Sequence, residues 1–202
     1  MHLRPLGIAL RYRFGWAAAD WRYRVRRFWY RTNKEVLVFV LAIGLVITLF
    51  GFVLHAFFAE QDRKQDLARQ YHERNLNCLA RNVYYEARGE PAAGQYAVAE
   101  VTMNRTTSQR YPDTVCAVVY QRNWDPIRRR YVAAFSWTEF SELDEPRGEE
   151  WQRACKVAEA VYYQTYAPAL RGALFFHATY VSPDWAKDKQ PVARIGRHIF
   201  YR

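Results

Sequence analysis

Two carboxylates stand four residues apart in Tyr84-Tyr85-Glu86-Ala87-Arg88-Gly89-Glu90-Pro91, which reads as a helix end followed by a tight corner. The helix macrodipole makes that end a poor place for an anion. A carboxyl kept there, beside a bend that opens a cleft, is expected to have a raised pKa and to suit general acid catalysis near neutral pH. The plainer alternative is that Glu86 or Glu90 pairs with Arg81 or Arg88 on a solvated face, as i,i+4 charges routinely do. Other chemistries find less support. Neither Gly-x-x-x-x-Gly-Lys-Ser/Thr nor Gly-x-Gly-x-x-Gly is present, so no nucleotide cofactor is implied. Ser108, Ser136, Ser141 and Ser182 lack a Gly-x-Ser-x-Gly context, which leaves a serine hydrolase unsupported. His72, His177 and His198 form no His-Glu-x-x-His, and no Cys-x-x-Cys pair suggests zinc, so no metal is implied either.

The elements that must position Glu86 follow from periodicity. Asn75 or Asn77 is a candidate cap for a helix carrying Leu76, Leu79, Ala80 and Val83 at helical spacing. Gly89 is expected to end it in the left-handed conformation, with Pro91 opening the next helix, which runs to about Arg105. Asp113 is a candidate cap for a short helix through Val115, Val118, Val119 and Gln121. Residues 122–150 lack a strong period and end in acids at Glu139, Glu142, Asp144 and Glu145. A long irregular stretch inside a small domain is often functional. Glu149–Tyr166 returns to helical period, with Trp151, Ala154, Ala158, Val161, Tyr162 and Thr165 on one stripe. Ala173–His177 reads as a strand, and Val192–Ile195 and His198–Tyr201 as a hairpin around Gly196-Arg197. The expected fold is α+β, mostly α, with a small antiparallel β-sheet.

Charge and hydropathy set the organisation of the chain. The formal net charge is +10, but +8 of it lies in residues 1–34, where Tyr12, Phe14, Trp16, Trp21, Tyr23, Phe28, Trp29 and Tyr30 interleave with arginine. The excess is a terminal tract, which argues against nucleic acid as the main partner and suits an anionic inner leaflet. Val36–Phe58 follows, 23 residues without a formal charge. About 20 apolar residues span a bilayer as a helix, so residues 36–58 are expected to be a single-pass transmembrane signal anchor. The basic flank places residues 1–35 in the cytoplasm and the remainder in the periplasm or another extracytoplasmic space. Residues 59–74 form a polar stalk or linker, helical or flexible, before a domain at 75–202. Of the three cysteines, Cys78–Cys116 is the favoured disulfide in such a compartment, with Cys155 free; three buried thiols is the alternative.

An anchored extracytoplasmic domain rich in aromatics suits a carbohydrate polymer. Glycoside cleavage usually takes two carboxylates, but one suffices when a substituent of the sugar supplies the nucleophile. Tyr85-Glu86-Ala87-Arg88-Gly89-Glu90-Pro91, Gly94-Gln95, Ala97-Val98-Ala99 and Asn104-Arg105 resemble the SleB/CwlJ family of cell-wall hydrolases. So do Tyr111–Val115, Val119-Tyr120-Gln121, Phe135-Ser136, Trp185 and the closing Ile195-Gly196 and His198–Tyr201 segments. The resemblance implies a lysozyme-like fold related to lytic transglycosylases, acting on peptidoglycan glycan strands between N-acetylmuramic acid and N-acetylglucosamine. It implies Glu86 as the general acid and base, without metal or cofactor. Gln121, Phe135, Ser136 and Trp137 are the expected sugar-binding wall. His177 and Tyr180 stand where the spore enzymes more often carry Tyr/Asn-type residues, which leaves the substrate contacts at this edge open. The spore proteins carry a cleaved signal and a separate binding domain where a membrane anchor is expected here, so a germination role does not carry over and wall remodelling, within a protein complex, is the expectation. The competing class is a non-catalytic peptidoglycan-binding or scaffold domain on the same fold.

Overall fold

The computed structural model describes residues 20–126, 128–170 and 172–202; the first nineteen residues of the basic aromatic tract lie outside them. Contacts divide the chain into two units, up to Lys64 and from Gln65 to Arg202.

In the first unit, residues 20–31 are helical, and helix α1 (Lys34–Ala87) begins shortly after. Trp21, Phe28, Trp29 and Tyr30 are exposed, as is nearly every large apolar side chain from Val36 to Phe58. Among the described residues this is the one helix long and apolar enough to cross a membrane, with a mean hydropathy of 3.0 over its best window and none of that window buried. Its polar continuation is held by helical pairs such as Arg63–Glu60 at 2.7 Å and Lys64–Glu60 at 3.6 Å.

In the second unit α1 runs on to Ala87, and its buried residues begin at Asn75. Neither Asn75 nor Asn77 caps a helix start, contrary to the expectation from sequence. The Asn75 amide is used elsewhere: it donates to the Tyr71 carbonyl at 2.9 Å and accepts from the Cys116 backbone N–H at 3.3 Å. A side chain satisfied this way no longer competes with the helix for its own backbone. Helix α2 (Ala92–Thr106) is central, contributing Ala99 to one apolar cluster and Ala97, Val98 and Val101 to a second. Asn82, fully buried, donates to Thr102 Oγ1 at 3.0 Å and accepts from Trp137 Nε1 at 2.9 Å, tying α1 to α2 and to the 3-10 turn Ser136–Glu139.

The short helix α3 (Val115–Val119) is capped by Thr114, whose hydroxyl accepts from Ala117 N, and not by Asp113. Cys78 and Cys116 are joined, S–S 2.07 Å, linking α1 to α3, and Cys155 is a free thiol. The stretch expected to be irregular contains a two-stranded antiparallel sheet, β1 (Arg122–Asp125) with β2 (Arg130–Ala133), in which Trp124 faces Tyr131. Helix α4 (Gly148–Tyr162) packs on α2 and ends four residues before the sequence period suggested. Gln164 adopts φ 54° there, and Thr165 N reaches back to Ala160 O at 2.9 Å, a Schellman closure that stops the helix. The last strands, β3 (Phe175–Ala178), β4 (Pro191–Ile195) and β5 (His198–Tyr201), form an antiparallel sheet in the order β3-β5-β4.

The corner after Glu86 departs from expectation in one respect. Gly89 is not left-handed: the glycines with positive φ are Gly148, Gly172 and Gly196. α1 closes instead through Glu90 N to Ala87 O at 2.9 Å. The missing side chain at Gly89 leaves room for the Arg197 guanidinium, which a Cβ would approach to 3.1 Å.

Candidate active site

Glu86 lies in the last turn of α1, one residue before its end, and lines a cleft of about 580 Å³. Three elements build the rest of the cleft: the segment Ala134–Trp137 after β2, the β3 end at Phe176–Ala178, and His198 at the start of β5. Phe140, Leu143 and Tyr180 close its rim. Among the described residues lining it, Glu86 is the sole carboxylate.

Glu86 is half-buried, and burial pushes its carboxyl up to about 7, against an opposing pull from the Arg105 guanidinium. Arg105 comes from the last turn of α2 and is itself buried. Its Nε donates to the Leu174 carbonyl at 2.8 Å, and its guanidinium lies 5.0 Å from the Phe135 ring centre and 5.3 Å from that of Tyr111. A cation on aromatic faces keeps its charge without a carboxylate partner. Glu86 is therefore left protonatable rather than locked in a salt bridge.

Glu90 has the opposite fate. It is 6 % exposed, and its carboxylate accepts from Arg197 N at 2.8 Å and Arg197 Nε at 2.7 Å. Burial alone would raise its pKa; the Arg197 backbone and side-chain donors outweigh that and hold it below the ordinary range. This clamp fastens the corner after α1 to the β4–β5 turn. The same turn presents His198, whose pKa burial lowers despite the opposing pull of Glu90, its Oε2 4.0 Å from Nδ1. His177 is oriented by two bonds: Nδ1 donates to the Ala178 carbonyl at 2.9 Å, and Nε2 accepts from the Tyr201 hydroxyl at 2.8 Å.

Of the residues expected from sequence to form the sugar wall, Phe135, Ser136 and Trp137 line the cleft with Glu86, and Gln121 does not. The Gln121 carbonyl instead accepts from Ala134 N at 2.8 Å, bracing the wall from behind, and its amide donates to Asn123. Trp137 is only 6 % exposed, stacked on Tyr85 with centroids 4.6 Å apart, so it supports the cleft floor rather than offering an open face. The open rings are Tyr180, 85 % exposed, and Phe140, 65 % exposed. Sequence reasoning assigned no role to Arg105 or His198. The signal was present: Val98, Val101, Thr102 and Arg105 share one helical stripe, and His198 alternates with Phe200, so each polar residue sits on a buried face. Among the described residues no three His, Cys, Asp or Glu side chains gather as a metal site.

A family model described as Cell Wall Hydrolase matches residues 89–201. The chain belongs to the cell wall hydrolase family. The match covers Glu90, Arg105, the Phe135–Trp137 wall and His198, and begins just after Glu86. Among curated cell wall hydrolase relatives, the spore cortex-lytic enzyme of Halalkalibacterium halodurans is 30 % identical over 142 residues, 70 % of this chain and 39 % of the relative. That of Bacillus subtilis is 29 % identical over 143 residues, 68 % of this chain and 42 % of the relative. The chain thus spans about two fifths of the length of these relatives. The catalytic domain of the germination-specific lytic transglycosylase SleB from Bacillus anthracis shares the fold, with a TM-score of 0.50 at 28 % identity, covering 63 % of this chain and 93 % of that domain.

Proposed function

We propose that this cell wall hydrolase cleaves peptidoglycan glycan strands between N-acetylmuramic acid and N-acetylglucosamine by lytic transglycosylation, with Glu86 as acid and then base. The observation that carries this is the solitary Glu86 carboxyl in the cleft, with a pKa pushed up to about 7. Hydrolysis with a protein nucleophile or a separate general base needs a second carboxylate in the same cleft. A single carboxyl suffices when the substrate supplies the attacking oxygen. Protonated Glu86 gives its proton to the glycosidic oxygen as the bond to the muramyl anomeric carbon breaks. The resulting carboxylate takes the proton of the muramyl 6-hydroxyl as that oxygen closes onto the anomeric carbon. An anhydro ring forms, no water is consumed, and Glu86 ends protonated. The activity named for the SleB relative agrees with this course.

Residues 36–58 serve as the membrane anchor in this reading, with residues 1–35 cytoplasmic and the domain from about residue 75 outside. A reporter fused after Arg202 is expected to be active only in an extracytoplasmic compartment; activity confined to the cytoplasm would overturn the topology. The catalytic test is digestion of purified peptidoglycan by the full chain in detergent, wild type beside Glu86→Gln, with products read by mass spectrometry. Anhydro-muropeptides from wild type alone are expected. Reducing-end products would replace transglycosylation by hydrolysis, and strand binding without cleavage by either form would favour a non-catalytic binding domain.

A further inference from the structure

A second cavity, of about 610 Å³, adjoins the cleft and shares Tyr85, Arg88 and Leu143 with it. Its other lining residues are Glu142 and Asp144, from the acidic stretch after the 3-10 turn that the catalytic reading leaves unused. That stretch is irregular but fastened to α1 at two points. Arg81 Nη1 donates to Glu145 at 2.9 Å, and the Tyr85 hydroxyl donates to the Asp144 carbonyl, also at 2.9 Å. The cavity therefore has a fixed wall. Opposite in charge to Glu142 and Asp144, Arg88 stands in the turn just after α1 and is steadied by it: Nη1 donates to the Tyr84 hydroxyl at 3.3 Å, and the guanidinium lies 5.2 Å from the Tyr84 ring centre.

Three of the five lining side chains are charged, of both signs, and the cavity is one residue away from the candidate acid. A neutral sugar ring matches this poorly, because covering charges with hydroxyls alone leaves them desolvated without ionic partners. A short zwitterionic chain matches it well. On the reading of the previous section, the sugar at the scissile bond is the muramyl residue, whose lactyl ether carries a peptide with free carboxylates and, on its diamino acid, an ammonium group. Such a stem must leave the cleft beside Glu86.

We propose that the Arg88–Glu142–Asp144 cavity is a recognition site for the muramyl stem peptide, with Arg88 taking a stem carboxylate and Glu142 and Asp144 the diamino-acid ammonium. This rests on peptidoglycan being the substrate but not on cleavage occurring, so binding is measured apart from turnover. The full chain in detergent carrying Glu86→Gln is titrated with a disaccharide tetrapeptide, with the same compound N-acetylated on its diamino acid, and with the peptide-free disaccharide. The tetrapeptide is expected to bind at least about tenfold more tightly than the peptide-free disaccharide, about 1.4 kcal/mol. N-acetylation is expected to remove much of that gain. The tetrapeptide-to-disaccharide ratio is expected to fall toward one in the Glu142→Gln/Asp144→Asn variant, whose exposed positions leave the Tyr85 bond to the Asp144 carbonyl in place. Equal affinity for the two ligands, or a ratio unchanged by that variant and by Arg88→Gln, would overturn the proposal. Anhydro products from wild type together with equal affinities would leave the catalytic reading standing and this one rejected. Peptide-dependent binding with no cleavage would do the reverse.

Discussion

Glu86 and Glu90 are four residues apart, on either side of the end of α1, yet their environments push them in opposite directions. Glu86 is raised to about 7 because burial disfavours its anion more than Arg105 favours it. Its folded pKa lies above the unfolded value, so the folded state binds the extra proton, and stability falls as pH rises through roughly 4.3 to 7. Glu86→Gln, neutral at every pH, should therefore melt higher than wild type at pH 8, by the equivalent of up to ~3 kcal/mol, and equally at pH 4. Thermal melts at the two pH values test this; no gain at pH 8 would mean that the carboxylate is well solvated. Glu90, held low by Arg197, has the opposite sign: its contribution is present above the unfolded carboxylate pKa and is lost as pH falls. Arg105 tunes Glu86 without pairing to it. Replacing Arg105 by Met removes the charge that lowers the Glu86 pKa, so the alkaline limb of the activity profile should move to higher pH, while Arg105→Lys should retain much of the wild-type limb. A limb that stays put in Arg105→Met would separate the two groups.

At the scale of elements, the β4–β5 turn decides where the corner after α1 sits. Gly196 has φ 58°, and a Cβ there would come within 2.1 Å of Glu90 Oε2. Gly196→Ala must therefore strain the turn and displace the carboxylate that grips Arg197. A loss of about 2–4 kcal/mol is expected, read from the denaturant midpoint. A loss under about 1 kcal/mol would mean that the turn shifts without cost and that the Glu90–Arg197 clamp is not what fixes the corner. Asn82 plays the matching part on the other side of the site. By satisfying Trp137 Nε1 it lets an indole sit in the floor of the cleft with its donor paired.

For the molecule as a whole, the Cys78–Cys116 bridge closes a segment of sequence separation 38 between α1 and α3, the two elements that meet at Asn75. In the chain-entropy account a loop of this length contributes about 4 kcal/mol. The Cys78→Ser/Cys116→Ser chain should lose stability of that order, and the oxidised wild type should fall to match it on reduction. Coincident unfolding curves for oxidised and reduced wild type would show that the bridge adds nothing. A domain with this dependence works best in an oxidising compartment, which agrees with the proposal that residues 36–58 anchor it outside the cytoplasm.

Much of this protein is written locally. The 23-residue apolar run, the helix that begins after Pro91, the Gly196-Arg197 hairpin and a carboxylate at a helix end all follow from chemistry between residues a few positions apart. Such features are legible because backbone conformation and hydropathy depend on near neighbours. The choices that make a site depend on distant ones. Asn75 extends a helix rather than starting one because Cys116, 41 residues away, takes its side chain. Glu90 is clamped by Arg197, 107 residues on, and that leaves Glu86 as the carboxyl in the cleft. Trp137 turns inward because Asn82 accepts from its indole, and Gln121 turns away because its carbonyl holds Ala134. Spacing nominated the carboxylates; burial and long-range partners decided which of them is left with a movable proton.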